Sequence, residues 1–336
     1  MWSISATPAE TSLSVNFDAR TAAEGQSVLY CFAMEPSNRR QFLRQASTAL
    51  IGLGAPAALL ASRAAHAATY PAWSGPIGLE LYTVRHLFAR RPLPTLRAVH
   101  AAGYRLVEGD VTQMPAPWQT MRRYLHESGL SMVSTLAMQP NPGTPRQWEI
   151  LMAQADPYHL RYFVTMNTGV HDAEGWKRIA ARYNQAGKIA KKHGLQFCYH
   201  NHITEFIPTN GTTGYEILHR ETDPELLKFE MDVFWITYAQ QDPVAWFKRS
   251  PGRYPLLHIK DMKRHVPAAY NPHQFPHGFD PFTEVGRGKI NWARVFAHTH
   301  LAGVKHIFVE QDQTAPLSPL AAIRISYRYL RHLRVH

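Results

Sequence analysis

Short apolar segments alternate with longer helix-like segments from residue 77 to the end of the chain. The apolar segments are rich in β-branched and aromatic residues and are bounded by Gly, Pro, Asn or Asp, which predicts β-strands. The predicted strands are Ile77–Val84, Tyr104–Glu108, Ser131–Leu136, Tyr162–Met166, Gln196–His200, Leu227–Phe234, Tyr254–Ile259 and His306–Glu310. The predicted helices between them are Leu93–Ala101, Trp118–Glu127, Pro145–Gln154, Glu174–Lys192, Gly214–Arg220, Pro243–Lys248, Trp292–His298 and Leu317–Leu333.

This alternation predicts an α/β fold, a single-domain (β/α)8 TIM barrel over residues 68–336. Such barrels typically have about 250 residues. Gly103, Gly129, Gly194 and Gly303 each follow a predicted helix and precede a strand, where a glycine commonly ends a helix. A doubly wound open sheet is the alternative. It is weakened because no G-x-G-x-x-G pattern follows the first strand.

Residues 34–67 have the order of regions found in an export signal. Arg39-Arg40 precede an apolar, Ala-rich stretch, and Ala65-His66-Ala67 forms a small-residue cleavage pattern. The segment resembles a twin-arginine signal. It implies the twin-arginine export machinery as a partner, a periplasmic location and no stable membrane span after cleavage. The alternative is a short amphipathic helix. Residues 1–33 are either a mis-assigned start or a disordered extension.

Composition and charge narrow the function classes. The chain is 45% hydrophobic and 18% charged, so disorder or coiled coil cannot describe the whole of it. The net charge of +11 is spread over many predicted helices, which indicates solvated faces, and we expect no nucleic-acid partner. Only Cys31 and Cys198 are present, so no disulfide framework is possible.

Ionisable side chains occur at the carboxyl ends of several predicted strands, where the active site of a (β/α)8 barrel lies. Polar groups inside apolar strands cost free energy unless they are paired or bound to a metal. Carboxylates with imidazoles suit Zn, Mn, Co or Fe, so we expect a divalent metal site there. The candidates are Glu108 on the second strand, His200 and His202 on the fifth, Glu230 and Asp232 on the sixth, His258 and Lys260 on the seventh, and Glu310 on the eighth.

These residues also have structural explanations. Glu108 could be a capped surface carboxylate or the partner of an arginine inside the barrel. A lone histidine is more often structural, although His200 and His202 share one face of an extended strand. Lys260 could form a salt bridge instead of contacting substrate, and aromatic residues such as Trp235 could simply pack in the barrel.

The chain resembles the xylose-isomerase-like TIM barrel superfamily, the sugar phosphate isomerase/epimerase family, in its exported branch. The resemblance runs from about Ile77 to the C-terminus. It is carried by six segments in order: Leu79–Arg85, Tyr199–His202 with Glu205-Phe206, Met231–Trp235, Gly252-Arg253 with His258–Met262, Glu284–Gly288 and Val309–Asp312.

The resemblance implies that Asp232, His258 and Glu310 bind the metal. The family usually adds a glutamate from the fifth strand, and His200 stands at that position. The fourth ligand is therefore either His200 or Glu205 from the following loop. A His/Glu pair replaces the two metal-linked glutamates of the family's epimerases, and it still supports proton abstraction beside a carbonyl.

The predicted function is a metal-dependent isomerase or epimerase that forms a metal-stabilised enediolate. The predicted export and the lack of a Gly-rich phosphate loop favour an unphosphorylated sugar or keto-sugar. The catalytic candidates are His202, Glu310, Lys260 and Glu205, and the metal candidates are His200, Asp232, His258 and Glu310. The substrate-binding candidates are Glu108, Trp235, Tyr82 and Arg264, the last in the predicted active-site loop Lys263–Arg287.

Three alternatives stay open at this point. The same site could serve a keto-glycoside lyase or hydratase, or a metal-dependent phosphodiesterase or endonuclease-like hydrolase. The chain could also be a non-catalytic periplasmic sugar-binding protein. The identity of the divalent ion (Mn, Zn, Co or Fe) and any homo-oligomer are not readable from the sequence.

Overall fold

The computed structural model describes residues 69–137, 144–166, 169, 172–266 and 280–336. The predicted signal segment 34–67, the stretch 1–33, and residues 267–279 of the predicted active-site loop lie outside the described residues. Among the described residues we find no helix whose length and hydropathy together would suit a membrane span.

Eight parallel strands alternate with helices, as the sequence pattern predicts. The strands are β1 Ile77–Glu80, β2 Leu106–Glu108, β3 in two pieces (Ser131–Met132 and Ser134–Ala137), β4 Tyr162–Thr165, β5 Gln196–His200, β6 Leu227–Asp232, β7 Leu256–Ile259 and β8 His306–Val309. The helices are α1 Arg85–Arg90, α2 Pro92–Ala101, α3 Trp118–Ser128, α4 Pro145–Ala153, α5 Ala173–Lys192, α6 Gly214–Glu221, α7 Val233–Tyr238, α8 Pro243–Arg249, α9 Trp292–Phe296, α10 Thr299–Ala302 and α11 Pro319–His332. Shorter two-residue strands pair Tyr70–Pro71 with Arg334–Val335, Pro208–Thr209 with Thr212–Thr213, and Asp261–Met262 with Phe282–Thr283.

The strand pairings close into a ring. Each barrel strand pairs in parallel with the next one along the chain, and β8 pairs back with β1. The two pieces of β3 meet at Val133; the first pairs with β2 and the second with β4. The predicted (β/α)8 barrel is therefore confirmed.

A small apolar core fills the barrel interior, separate from the larger core between strands and helices. Its buried members are Leu106, Leu136, Val164, Cys198, Leu256 and Phe308. Gly78 on β1 makes room for the Phe308 ring, because a Cβ at Gly78 would lie 2.3 Å from ring atom Cδ1. This packed layer supports the polar groups at the carboxyl ends of the strands.

Two strands end two or more residues earlier than the apolar pattern predicts. The predicted sixth strand runs to Phe234, but β6 ends at Asp232, whose Oδ1 accepts a hydrogen bond from the Trp235 amide at 2.9 Å and caps α7. The predicted first strand runs to Val84, but β1 ends at Glu80. Its Oε1 accepts a hydrogen bond from the Tyr82 amide at 3.2 Å and caps a short 3₁₀ turn. Buried helical turns are as apolar as strands, so hydropathy alone does not separate them.

The segment after β7 is tied to the barrel by one buried carboxylate. Asp261 accepts hydrogen bonds from the Gly286 amide (2.8 Å), the Gly288 amide (3.2 Å) and the Trp292 indole (3.0 Å). A Cβ at Gly288 would overlap the Asp261 carboxylate, which explains the glycine there.

A half-buried histidine on α6 packs against β6 and against the residues just before β7. The His219 ring stacks on Phe229 at 3.9 Å, and its Nε2 hydrogen-bonds the Tyr254 hydroxyl at 2.8 Å. Burial lowers the pKa of His219 to about 3, so the ring is neutral in the folded protein.

Replacing Gly78 with Ala should destabilise the barrel by about 1–3 kcal/mol, because the new Cβ overlaps the Phe308 ring. Chemical denaturation would measure the loss. Adding Phe308→Leu should recover part of the lost stability, because it removes the ring that the new Cβ overlaps. A double variant no more stable than Gly78→Ala would contradict this explanation.

Replacing His219 with Phe should reduce the acid sensitivity of folding. Because the pKa is lower in the folded state (about 3) than the ordinary 6.5, the neutral ring's stabilisation is present above about pH 6.5 and is lost as the pH falls toward 3. The variant should show a pH slope shallower by up to about 1.4 kcal/mol per pH unit between these values. Urea denaturation from pH 4 to 8 would show it, and an unchanged slope would be evidence against it.

Candidate active site

The carboxyl ends of the strands bring a set of ionisable side chains into one buried cluster. Side chains point alternately into and out of the barrel along a strand, so residues two apart share a face. Those on the inner face near the strand ends are Glu80, Glu108, His200, Glu230, Asp232, His258, Lys260 and Glu310, all of them buried. The cluster brings together side chains from the ends of strands two, five, six, seven and eight, as expected. It also includes a side chain from the end of the first strand.

His258 stands at the centre of this cluster. Its Nδ1 lies 2.9 Å from Glu310 Oε2, and its Nε2 lies 2.7 Å from Glu108 Oε2 and 3.2 Å from Glu230 Oε2. Burial alone would lower the pKa of His258, but Glu230, Glu108 and Glu310 outweigh it and raise that pKa well above its usual range. Without a bound cation, the ring is therefore held as an imidazolium by its carboxylate neighbours.

Lys260 supplies a second buried positive charge. Its Nζ lies 2.8 Å from Glu310 Oε2, 2.9 Å from Asp312 Oδ1 and 3.2 Å from Asp232 Oδ2. Burial opposes the charge, but these carboxylates raise the pKa of Lys260 well above its usual range. Although burial favours the protonated acid, Lys260 and His258 hold the pKa of Glu310 well below its usual range. Lys260 thus forms salt bridges and also lies in the site, so the two alternatives expected for it do not exclude each other.

The two histidines at and just after the end of the fifth strand are neutral. His200 is buried, with Nδ1 at 3.0 Å from Glu230 Oε2 and Nε2 at 3.8 Å from Asp232 Oδ2. His202 packs against the His200 and Trp235 rings at 4.9 and 5.6 Å between centroids. Burial lowers the pKa of both imidazoles. With the nearby charge of Lys260, it brings that of His202 to about 3.

A cavity of about 110 Å³ opens beside the cluster. It is lined by Glu80, Tyr82, Leu136, Met166, His200, His202, Lys260, Glu310 and Asp312. Burial raises the pKa of Asp312 to about 6. A neighbouring cavity of about 330 Å³ shares Tyr82 and Asp312 and is also lined by Trp235, Arg85 and Phe282. The small cavity is thus lined mainly by polar and ionisable side chains, with Leu136 and Met166 as its apolar members.

Three residues expected in the site have other surroundings. Glu205 accepts hydrogen bonds from the Tyr199 hydroxyl (2.5 Å), the His202 amide (3.0 Å) and the Thr204 hydroxyl (3.0 Å), which orders the turn after β5. Glu108, expected to contact substrate, is fully buried and bonds His258 without lining the small cavity. Arg264 is exposed in the turn after β7.

Sequence reasoning placed Glu230 at the end of the sixth strand without giving it a role, and it assigned no site role to Glu80 or Asp312. Glu80 was overlooked because the apolar run continues to Val84 and conceals the point where β1 ends. Glu230 and Asp312 lie two residues from Asp232 and Glu310, so a stricter use of the two-residue strand period would have placed them on the same face.

The cluster fits a divalent cation by its donor atoms. Three combinations bring their ligand atoms within 4.8 Å of one another, and all share His258: Asp232 with Glu310, Glu80 with Glu108, and His200 with Glu230. Three buried carboxylate oxygens, Glu80 Oε2, Glu108 Oε1 and Glu230 Oε1, receive no hydrogen bond from a described N–H or O–H group. Burial and the proximity of Glu108 raise the pKa values of Glu80 and Glu230. This excess of buried carboxyl groups needs protons or a cation for compensation.

A (β/α)8 barrel with such a cluster at the carboxyl ends of its strands is the architecture of a TIM-barrel enzyme. The family model for xylose isomerase-like TIM barrels matches residues 96–333. The chain belongs to this family, as its sequence motifs suggested.

Individual known proteins are similar to this chain at low sequence identity. An inosose dehydratase from Bacillus cereus (strain AH820) is 27% identical over 154 residues, covering 45% of this chain and 51% of that protein. A sugar phosphate isomerase/epimerase from Parabacteroides distasonis ATCC 8503 superimposes with a TM-score of 0.65 at 22% identity, covering 78% of this chain and 96% of that one. The IOLI protein, solved with a bound zinc atom, gives a TM-score of 0.56 at 15% identity over 76% of this chain and 96% of that one. The chain spans about half the length of the curated relatives it matches.

Asp232 can be tested as a metal ligand with two variants that separate its roles. Asp232→Ala should lose the metal and also about 1 kcal/mol of stability, because Asp232 caps α7. Asp232→Asn should keep the cap and still lose most of the metal. Elemental analysis would measure the metal content, and thermal unfolding would measure the stability. About one equivalent of metal is expected in the wild type. Full metal occupancy in both variants would exclude Asp232 as a ligand.

The same analysis decides the ligand from the fifth strand. His200→Ala should lose metal, whereas Glu205→Gln should retain it, because the Glu205 carboxylate is bound to Tyr199 and the turn after β5. The opposite pattern would assign the ligand to Glu205.

Proposed function

We propose that this protein is a metal-dependent lyase that removes a proton beside the carbonyl of an unphosphorylated cyclic or keto-sugar substrate and then expels a neighbouring hydroxyl as water. One observation carries the proposal. A neutral imidazole, His202, and a charged ammonium, Lys260, line one small cavity beside the Asp232–His258–Glu310 group. A base and a fixed positive charge beside a metal-ligating group are what abstraction of such a proton requires.

Asp232, His258 and Glu310, together with His200, would hold the cation. Their mixture of carboxylate oxygen and imidazole nitrogen fits Zn, Mn, Co or Fe. When bound, a divalent cation supplies Lewis acidity that makes the proton beside a carbonyl easier to remove.

The chain's own side chains supply the remaining steps. His202 is neutral near pH 7, so its free nitrogen can accept the proton from carbon. Lys260 stays charged and stabilises the negative charge that develops on the substrate oxygen. Asp312, with a pKa of about 6, can hold a proton for the departing hydroxyl. Leu136 and Met166 form apolar walls that limit water in the cavity.

Dehydration is favoured over isomerisation for two reasons. Inosose dehydratases are among the curated relatives that match the sequence. The acid–base groups around the cavity are also dissimilar (an imidazole, an ammonium and a carboxyl group), which suits an elimination with distinct donor and acceptor sites. Isomerisation or epimerisation shares the first proton transfer and differs only in the return of the proton, so the products separate the two reactions. Export to the periplasm through residues 34–67 remains part of the proposal.

The proposal is tested by incubating the metal-loaded protein in D₂O with inososes and unphosphorylated keto-sugars. We expect hydrogen exchange beside the carbonyl, which NMR would detect. We also expect a product lighter by one water, which mass spectrometry would detect. His202→Gln should slow exchange by about 10²–10⁴-fold while its metal content stays unchanged. His193→Gln, on a histidine that precedes β5 and pairs with Asp156, is the matched control and should behave as wild type.

Each other result has a defined meaning. Exchange with an isomeric product of unchanged mass would replace the lyase with an isomerase or epimerase. A ligand-induced rise in melting temperature without exchange would favour a sugar-binding protein, and metal-dependent DNA cleavage would favour the hydrolase. Unaltered exchange in His202→Gln would exclude His202 as the base.

A further inference from the structure

One carboxylate oxygen of Glu230 contacts both buried imidazoles of the cluster. Glu230 Oε2 lies 3.0 Å from His200 Nδ1 and 3.2 Å from His258 Nε2, and all three side chains are buried. The barrel register sets up this contact, because Glu230 pairs with His200 across β5 and β6, and Asp232 pairs with His258 across β6 and β7.

The contact decides which nitrogen of each ring remains free. When a cation compensates the cluster, Glu230 is a carboxylate that only accepts hydrogen bonds, so each ring nitrogen that faces its Oε2 carries a hydrogen. The opposite nitrogens are then left for the cation, which at His258 takes the place of the hydrogen that Nδ1 shares with Glu310 in the metal-free protein. Both nitrogens lie beside expected ligands. His200 Nε2 lies 3.8 Å from Asp232 Oδ2, and His258 Nδ1 lies 2.9 Å from Glu310 Oε2.

We propose that Glu230 is a positioning residue that makes His200 and His258 a matched pair of metal ligands. The inference rests on the metal site in the proposed function. It assigns the ligand set as His200 Nε2, Asp232, His258 Nδ1 and Glu310, with Glu230 behind both imidazoles. It also explains how an imidazole can stand on the fifth strand where the resembled family has a glutamate, since a histidine ligand there needs a second carboxylate to orient it.

Glu108 provides an internal comparison. It bonds His258 Nε2 at 2.7 Å and has no contact with His200 shorter than 4 Å among the ion pairs of the described residues. Glu108 therefore orients one imidazole, whereas Glu230 orients two. Loss of Glu230 should consequently disturb both nitrogen ligands, and loss of Glu108 only one.

The first experiment measures affinity for Zn²⁺ by competition with a chromophoric chelator, and the visible absorption of the Co²⁺-loaded protein. Glu230→Gln should bind Zn²⁺ about 10–100-fold more weakly and alter the Co²⁺ spectrum. Glu108→Gln should show a smaller loss. Glu284→Gln, a buried glutamate paired with Arg287 outside the cluster, is the control and should match the wild type.

The second experiment needs no variant and guards against a Glu230→Gln protein that does not fold. Long-range ¹H–¹⁵N NMR of the Zn²⁺-loaded wild type reports which nitrogen of each histidine carries the hydrogen. His200 should be protonated on Nδ1. A hydrogen on Nε2 would overturn the proposal, as would a folded Glu230→Gln protein with wild-type Zn²⁺ affinity and an unchanged Co²⁺ spectrum.

The two proposals can fail separately. If the wild type binds neither Zn²⁺ nor Co²⁺, the metal requirement of the proposed function is wrong, and the assignment of Glu230 as a metal-positioning residue is overturned with it. If the wild type binds metal and Glu230→Gln binds it equally well, only the positioning inference is overturned.

Discussion

The interior of this barrel has to compensate several carboxyl groups that are removed from water. An unpaired buried carboxylate is costly, and removing one partner of a buried ion pair leaves the other charge uncompensated. Two cations, His258 and Lys260, compensate part of this negative charge, and each contacts three carboxylates. Even so, Glu80, Glu108 and Glu230 keep buried oxygens without a described donor. The properties of the site follow from this imbalance, since a divalent cation is an effective way to remove it.

The barrel geometry makes such a concentration of charge feasible. Parallel strands end at one rim, and alternate residues face the same interior, so six strands deliver their polar groups to one place. The layer of apolar side chains that includes Phe308 closes the interior on the other side. The close approach of Phe308 to Gly78 leaves no room for a side chain on β1 at that level, and the next inward position on β1 is Glu80.

The fifth strand is where this chain differs from the pattern its family motifs imply. Two neutral histidines stand there, and Glu205 is used in the turn after β5 instead of in the cluster. The change of ligand type proposed for this strand needs a compatible partner on its neighbour, and Glu230 on β6 lies in hydrogen-bond contact with His200. Function therefore has to be argued from the site itself, because similar barrels serve different chemistries.

The alternation of apolar segments and helices determined the eight β/α units, and the strand-end positions of His200, Asp232, His258 and Glu310 followed from it, because all strands of a parallel barrel end on one side. The point where each strand stops was not readable, since the apolar runs continue into buried turns beyond Glu80 and Asp232. Only the tertiary structure decided which nitrogen of each imidazole meets which carboxylate, because that depends on the register between strands distant in sequence. It also decided the ionisation of His202 and Asp312, since burial and the charge of Lys260 arise only when the strands are assembled.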